Sequence, residues 1–226
     1  MNSAAPAQEL VELPEPQQKR LECYLDRLLA ANQHINLTAL RNRDDAMDRH
    51  IVESVRVANI IGCPPNLIDV GSGGGLPGLV LAIVRPQTQV TLLEATEKKA
   101  RFLEQTASEL GLSNLTVVRA RAEEAGRIGQ PLREHFAYAV ARAVAALPTL
   151  LELTLPFVAP KGSFLAIKGQ RASEELAASE NALSVLRAEI ASTIRQPSAT
   201  LLLFHKTGRL AAQFPRKTGE PKRNPL

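Results

Sequence analysis

Residues 67–78 read LIDVGSGGGLPG and hold five of the chain's thirteen glycines within eight positions. An apolar run ends in Asp69, and Gly71, Gly73 and Gly75 then alternate, so side chains all but vanish directly after an acid. Glycine reaches positive φ without strain and lets bare backbone approach a ligand closely. Pro77 suits the first turn of a following helix, where its missing N–H is no loss. Two later apolar runs also lead into acids. Glu94 follows Val90-Thr91-Leu92-Leu93, and the pair Ala122-Glu123 follows NLTVVRAR.

Three ligand classes use such a turn. A dinucleotide fold needs G-x-G-x-x-G to receive a pyrophosphate at a helix N-terminus, and Gly73, Gly75 and Gly78 satisfy that pattern. A phosphate-cradling P-loop is excluded, because no Gly-Lys-Ser/Thr follows. Asp-x-Gly-x-Gly-x-Gly is the form that receives S-adenosylmethionine. An acid at the strand end helps organise a pocket for its cationic sulfonium and ammonium, and would repel a pyrophosphate. Glu94 is placed to accept hydrogen bonds from both ribose hydroxyls, which a dehydrogenase would need too. A backbone N–H beside the Glu123 carboxylate suits the adenine edge. Three acids at successive strand ends favour the methyl donor, while a nicotinamide dehydrogenase stays open on the glycine pattern alone.

Three further residues have two readings each. Arg142 interrupts the apolar run FAYAVARAVAAL, and a buried arginine needs partners. It either pairs with a carboxylate or lines the donor site and the path of an incoming nucleotide. His50, in DRHIVES, is a pocket wall or a core histidine. Lys168, in AIKGQ, meets phosphate or lies at the sheet end.

The elements that must position these groups follow from periodicity. PEPQQKRLECYLDRLLAAN places Leu21, Leu25, Leu28 and Leu29 on one helical face, and RDDAMDRHIVESVRVANII does so with Ile51, Val52, Val55 and Ile60. Short aliphatic runs then alternate with amphipathic stretches: 67–70, 90–93, 115–118, 137–141 and 163–167. Nearly continuous apolar strands between helices imply a parallel sheet covered on both faces. EIASTIRQ and SATLLLFHKTG have no helix between them and read as an antiparallel pair closing the sheet. The expected fold is α/β, a doubly wound, Rossmann-like sheet of class I methyltransferase type, mostly parallel with an antiparallel C-terminal strand. Residues 1–64 form an N-terminal helical extension, 65–207 the S-adenosylmethionine-binding core, and 208–226 a basic tail, all in one overall domain.

Composition narrows the setting. An apolar fraction of 45% is enough for a real core in 226 residues. The opening MNSAAPAQELVELPEPQQ has no basic region and no apolar core, so a cytoplasmic protein away from membranes is expected. Cys23 and Cys63 lack metal-ligand spacing and are expected as reduced, buried thiols. From Lys206 onward six basic residues face only Glu220, a local charge of +5, so with a chain total of +4 the remainder is −1. This basic, proline- and glycine-rich end is read as a phosphate-backbone contact or a solvated tail. With aromatic residues at 4% and no Trp, a broad base-stacking platform is not expected.

The chain resembles the bacterial small-subunit rRNA guanine-N7 methyltransferases, the glucose-inhibited division protein B family. The likeness runs through NLTAL, RHIVES, DVGSGGGLPGLVLAI, RFLEQTASELGLSNLTVVRARAEE, ARAVAAL, LAIKGQ and FPRKTGEPKRNPL. It implies methyl transfer from S-adenosylmethionine to N7 of guanine 527, in the 530 loop of 16S rRNA. It also implies donor contacts at Gly71, Gly73, Leu76, Glu94, Ala122, Glu123 and Arg142. Where the family often has an aromatic residue after Arg142, this chain has Ala143-Val144. No Asn/Asp-Pro-Pro-Tyr and no Pro-Cys pair is present, which suits attack by a ring nitrogen with a free lone pair. Neither a general base nor an obligatory metal is expected. The expected partner is 16S rRNA within the small subunit or an assembly intermediate, met by a monomer.

Overall fold

The computed structural model describes residue 10 and residues 12–226. Seven strands form one sheet in the order β3-β2-β1-β4-β5-β7-β6. They are β1 Asn66–Val70, β2 Gln89–Glu94, β3 Leu115–Arg119, β4 Phe136–Arg142, β5 Val158–Lys168, β6 Ala188–Arg195 and β7 Thr200–Lys206. The first five pair in parallel, while β7 runs antiparallel to both β5 and β6. The antiparallel pair expected from the sequence is therefore present, with β7 inserted between β5 and β6. Strand order reverses between β1 and β4, so their C-terminal ends open the crevice in which ligands of doubly wound sheets bind.

Helix α1, Glu15–Ala31, buries Leu21, Tyr24, Leu25 and Leu28. A second helical stretch begins as α2, Arg43–Ala46, widens to a π-helical segment over Met47–Val52, and continues as α3, Glu53–Ile61. The Asn42 side chain accepts from the N–H groups of Asp44 and Asp45 and starts it. These helices share one core with α4, Gly78–Val84, and α5, Glu97–Glu109, on one face of the sheet. The other face is covered by α7, Leu147–Thr154, with α8, Ala172–Ala177, and α9, Glu180–Val185. The short helix α6, Ala122–Ala125, follows β3, and α10, Glu220–Arg223, closes the chain. Among the described residues no helix is long and apolar enough to cross a membrane.

Two expectations are corrected. Cys23 and Cys63 are exposed. Cys23 lies on the outer face of α1, between the inward Leu21 and Leu25. Nor is the basic end a solvated tail. Lys206 is buried and donates to Glu134 Oε1 at 2.7 Å, and Arg216 pairs with Glu152, whose side chain is 0% exposed. Lys217, Lys222 and Arg223 remain at the surface.

Candidate active site

After Val70 the chain turns through Gly71, Gly73 and Gly75 at φ 75°, 57° and 99°. Other elements hold this loop from three sides. The N–H groups of Gly71 and Ser72 donate to Leu93 O at 2.8 and 3.1 Å. The buried Tyr24 hydroxyl, from α1, donates to Gly74 O at 2.7 Å. Beneath the loop, Asp69 Oδ2 accepts from Gly78 N at 3.0 Å. Space excludes a side chain as firmly as the backbone does: a Cβ on Gly71 would lie 2.8 Å from Val144 Cγ2.

Asp69 departs from its expected place. It is 0% exposed and lines neither cavity described below. It braces the loop from underneath, and burial pushes its carboxyl up to about 7 against the opposing pull of the Gly78 N–H. Glu94, by contrast, lines both cavities. Its Oε2 accepts from Gly73 N at 2.9 Å and its Oε1 from Thr96 N at 2.7 Å, so its orientation is set by backbone on both sides. Each oxygen keeps a second lone pair for a ligand hydroxyl.

Two cavities meet at Gly71, Glu94 and Val144. One, of about 550 Å³, runs past Gly73 and Leu76 to Arg142, His50 and Thr38. The other, of about 670 Å³, lies between Leu93, Ala122, Glu123 and Leu153. Its far wall is the C-terminal segment, with Gly219, Pro221 and Pro225. Gly219 N donates to Glu123 Oε1 at 3.0 Å, and Thr149 Oγ1 donates to Pro221 O at 3.0 Å. Arg216 anchors this strap through Nε, 2.9 and 3.0 Å from the two Glu152 oxygens. Gly71, Gly73, Leu76, Glu94, Ala122, Glu123 and Arg142 thus all line one cavity or the other.

Arg142 stands between a cavity and a carboxylate. It lines the first cavity, while its Nη2 donates to Arg49 O at 3.1 Å and to His50 Nδ1 at 3.2 Å and lies 4.0 Å from Glu53 Oε2. His50 sits on the π-helical segment, 6% exposed, with Nε2 2.6 Å from Thr38 Oγ1. Burial and the neighbouring guanidinium hold it down to about 4, so it is neutral at pH 7. Lys168 turns inward at the sheet end. It donates to Ala145 O at 2.8 Å and pairs with Glu175 at 2.7 Å, steadying the 143–146 turn.

Tyr24, Thr38, Val144 and the strap were not singled out as site residues from the sequence. Tyr24 reads as one more apolar-face position of α1. Thr38, inside NLTAL, carried the only available signal, a polar residue between two leucines in a short connection.

The strand order with its reversed β7, and a glycine loop at the switch point, define a class I methyltransferase fold. A solved S-adenosylmethionine-dependent methyltransferase from Aquifex aeolicus shares it at TM-score 0.56 and 14% identity, covering 71% of this chain and 92% of that one. Residues 17–199 match the family model described as GidB, rRNA small subunit methyltransferase G. Relatives of that name include one from Sorangium cellulosum, 42% identical over 209 residues (91% of this chain, 82% of the relative). Another, from Thermotoga neapolitana, is 40% identical over 221 residues (96% and 94%). The chain belongs to the rRNA small subunit methyltransferase G family.

Proposed function

We propose that the protein transfers a methyl group from S-adenosylmethionine to N7 of guanine 527 in the 530 loop of 16S rRNA. The observation that carries this reading is the pair of cavities joined over Gly71, with Glu94 at the junction. One has the apolar walls and the carboxylate that suit an adenosine. The other has bare loop backbone and three cations, Arg49, Lys99 and Arg142, that suit an amino-acid carboxylate and an approaching RNA phosphate. Gly71, Gly73, Leu76 and Arg142 would border the methionine half, Glu94 the ribose, and Ala122 and Glu123 the adenine. The bound donor supplies an already activated methyl group on a cationic sulfonium.

What the protein itself contributes is alignment. Guanine N7 has a lone pair and no proton to lose, so no general base is required. Holding a nucleophile in line with a reacting carbon can supply ~7–11 kcal/mol of the barrier in favourable cases. The partner under this reading is the small subunit or an assembly intermediate, met by a monomer in the cytoplasm. A single basic strap is little for sequence readout of a free oligonucleotide, and folded RNA offers shape.

The test is incubation with labelled S-adenosylmethionine and small subunits from cells lacking the modification, followed by mapping of the labelled atom. Label at N7 of that guanine is the expected result. Label elsewhere, or efficient labelling of a short stem-loop, counts against the reading.

A further inference from the structure

Thr38 sits on the wall of the first cavity, on the connection between α1 and α2. The buried Asn32 side chain fastens that connection. Its Oδ1 accepts from Leu37 N at 2.9 Å and Thr38 N at 3.0 Å, and its Nδ2 donates to Thr38 O at 2.9 Å. With its main chain fixed on both sides, Thr38 holds its hydroxyl in one place.

The hydrogen-bond inventory then determines the direction of the hydroxyl proton. A guanidinium has donors only, so His50 Nδ1, facing Arg142 Nη2 at 3.2 Å, must be the accepting nitrogen. The neutral ring therefore carries its proton on Nε2 and donates to Thr38 Oγ1, 2.6 Å away. Leu40 N donates to the same oxygen at 3.0 Å. Both lone pairs of Oγ1 are then occupied, and its own O–H has to donate to a third group. Among the described residues no hydrogen bond supplies that acceptor, which leaves whatever fills the cavity. Arg142, His50 and Thr38 form a relay that ends in an aimed donor.

Resting on the reading proposed above, we infer that the Thr38 hydroxyl donates to O6 of the target guanine and thereby sets N7 in line for methyl transfer. The Hoogsteen edge of guanine presents two acceptors side by side, N7 and O6. Since N7 must stay free to attack, O6 is the atom by which that edge can be held. A neutral hydroxyl suits this task better than a cation, which would draw electron density from N7 and oppose the positive charge the product ring acquires. The cavity's three cations are sufficient for the other oxygen acceptor, the amino-acid carboxylate of the methyl donor.

The experiment compares wild type, Thr38→Val and Thr38→Ser on small-subunit RNA carrying either guanine or 2-aminopurine at the target position. 2-Aminopurine keeps N7 and lacks O6. Thr38→Val should lower kcat/KM on the guanine substrate by about tenfold, the scale of one hydrogen bond, with S-adenosylmethionine affinity within about twofold of wild type. Thr38→Ser should restore most of the rate. Replacing guanine by 2-aminopurine should slow wild type by a similar factor and leave Thr38→Val nearly unaffected, since the two changes remove the same contact. Equal slowing of both enzymes by 2-aminopurine would overturn the inference. So would a loss of methyl-donor affinity in Thr38→Val, which would assign the hydroxyl to the donor's carboxylate. If Thr38→Val does not fold, the 2-aminopurine effect on wild type against Thr38→Ser decides: no slowing in either overturns the assignment. Absence of N7 methylation by wild type would instead defeat the proposed function, and this assignment with it.

Discussion

Gly71 concentrates two independent demands. Its φ of 75° disfavours any side chain, and a methyl there would meet Val144 Cγ2 at 2.8 Å. Gly71→Ala should weaken S-adenosylmethionine binding more than about tenfold while lowering stability by roughly 1–3 kcal/mol, read by calorimetry and thermal melting. Asp69 makes a second residue-scale prediction. With its carboxyl raised to about 7, it ionises as pH climbs through neutrality and brings a negative charge beneath the loop. The cationic donor should gain from that charge and its neutral homocysteine product should not. The affinity ratio of the two ligands is thus expected to rise from pH 6 to pH 8, and to stay flat in Asp69→Asn. The fold responds the opposite way. A buried acid with a raised pKa contributes its stability fully below the ordinary carboxylate range and loses it as pH rises through 7. For His50, held down to about 4, stability is present above the usual histidine value and drains away as pH falls below it. In denaturant unfolding at pH 7 and pH 4.5, wild type should lose about 2 kcal/mol relative to His50→Gln, because the opposite contribution of Asp69 is common to both proteins.

At the scale of elements, the periodic part of the architecture was legible. Four of the first five strands lie within one residue of their apolar runs, because a parallel strand covered on both faces leaves a continuous signature. Strand β5 begins at Val158, five residues earlier than its apolar run, since Pro160, Lys161 and Gly162 break the apolar pattern but not the strand. The glycine loop, Glu94 and Glu123 were legible as residues that the fold brings together, while Asp69, read as an acid that organises the pocket, lies beneath the loop and outside both cavities. Sequence spacing shows that an acid ends β1, not which way its carboxylate turns. The π-helical segment at Met47–Val52, which presents His50 to the cavity, has no signature in an apolar repeat that continues across it. Helix α1 was legible as a packed helix and not as a brace. Tyr24→Phe keeps its packing and leaves the Gly74 carbonyl short of its donor. That change should cost about 1–2 kcal/mol of stability and weaken donor binding, both measurable on the purified protein.

Over the whole molecule, the two cavities are walled by segments from before β1 and after β7. The connection between α1 and α2 supplies Thr38, the π-helical segment supplies His50, and the strap supplies the far wall of the second cavity. The strap was illegible as structure because lysine, arginine, proline and glycine read as a solvated end. Its buried ion pair is with a carboxylate 64 positions away, Glu152 on α7, which no local pattern connects to Arg216. Removing that guanidinium leaves a fully buried charge unpaired, so Arg216→Met should destabilise the fold by about 3–5 kcal/mol. Arg216→Lys should recover only part, because the two-pronged geometry belongs to arginine.

The position of the strap also links anchoring to cavity shape. Pro221 and Pro225 line the second cavity, so an occupant would rest against the very segment that Arg216 fastens to Glu152. Slackening the strap at one end would loosen that wall at the other.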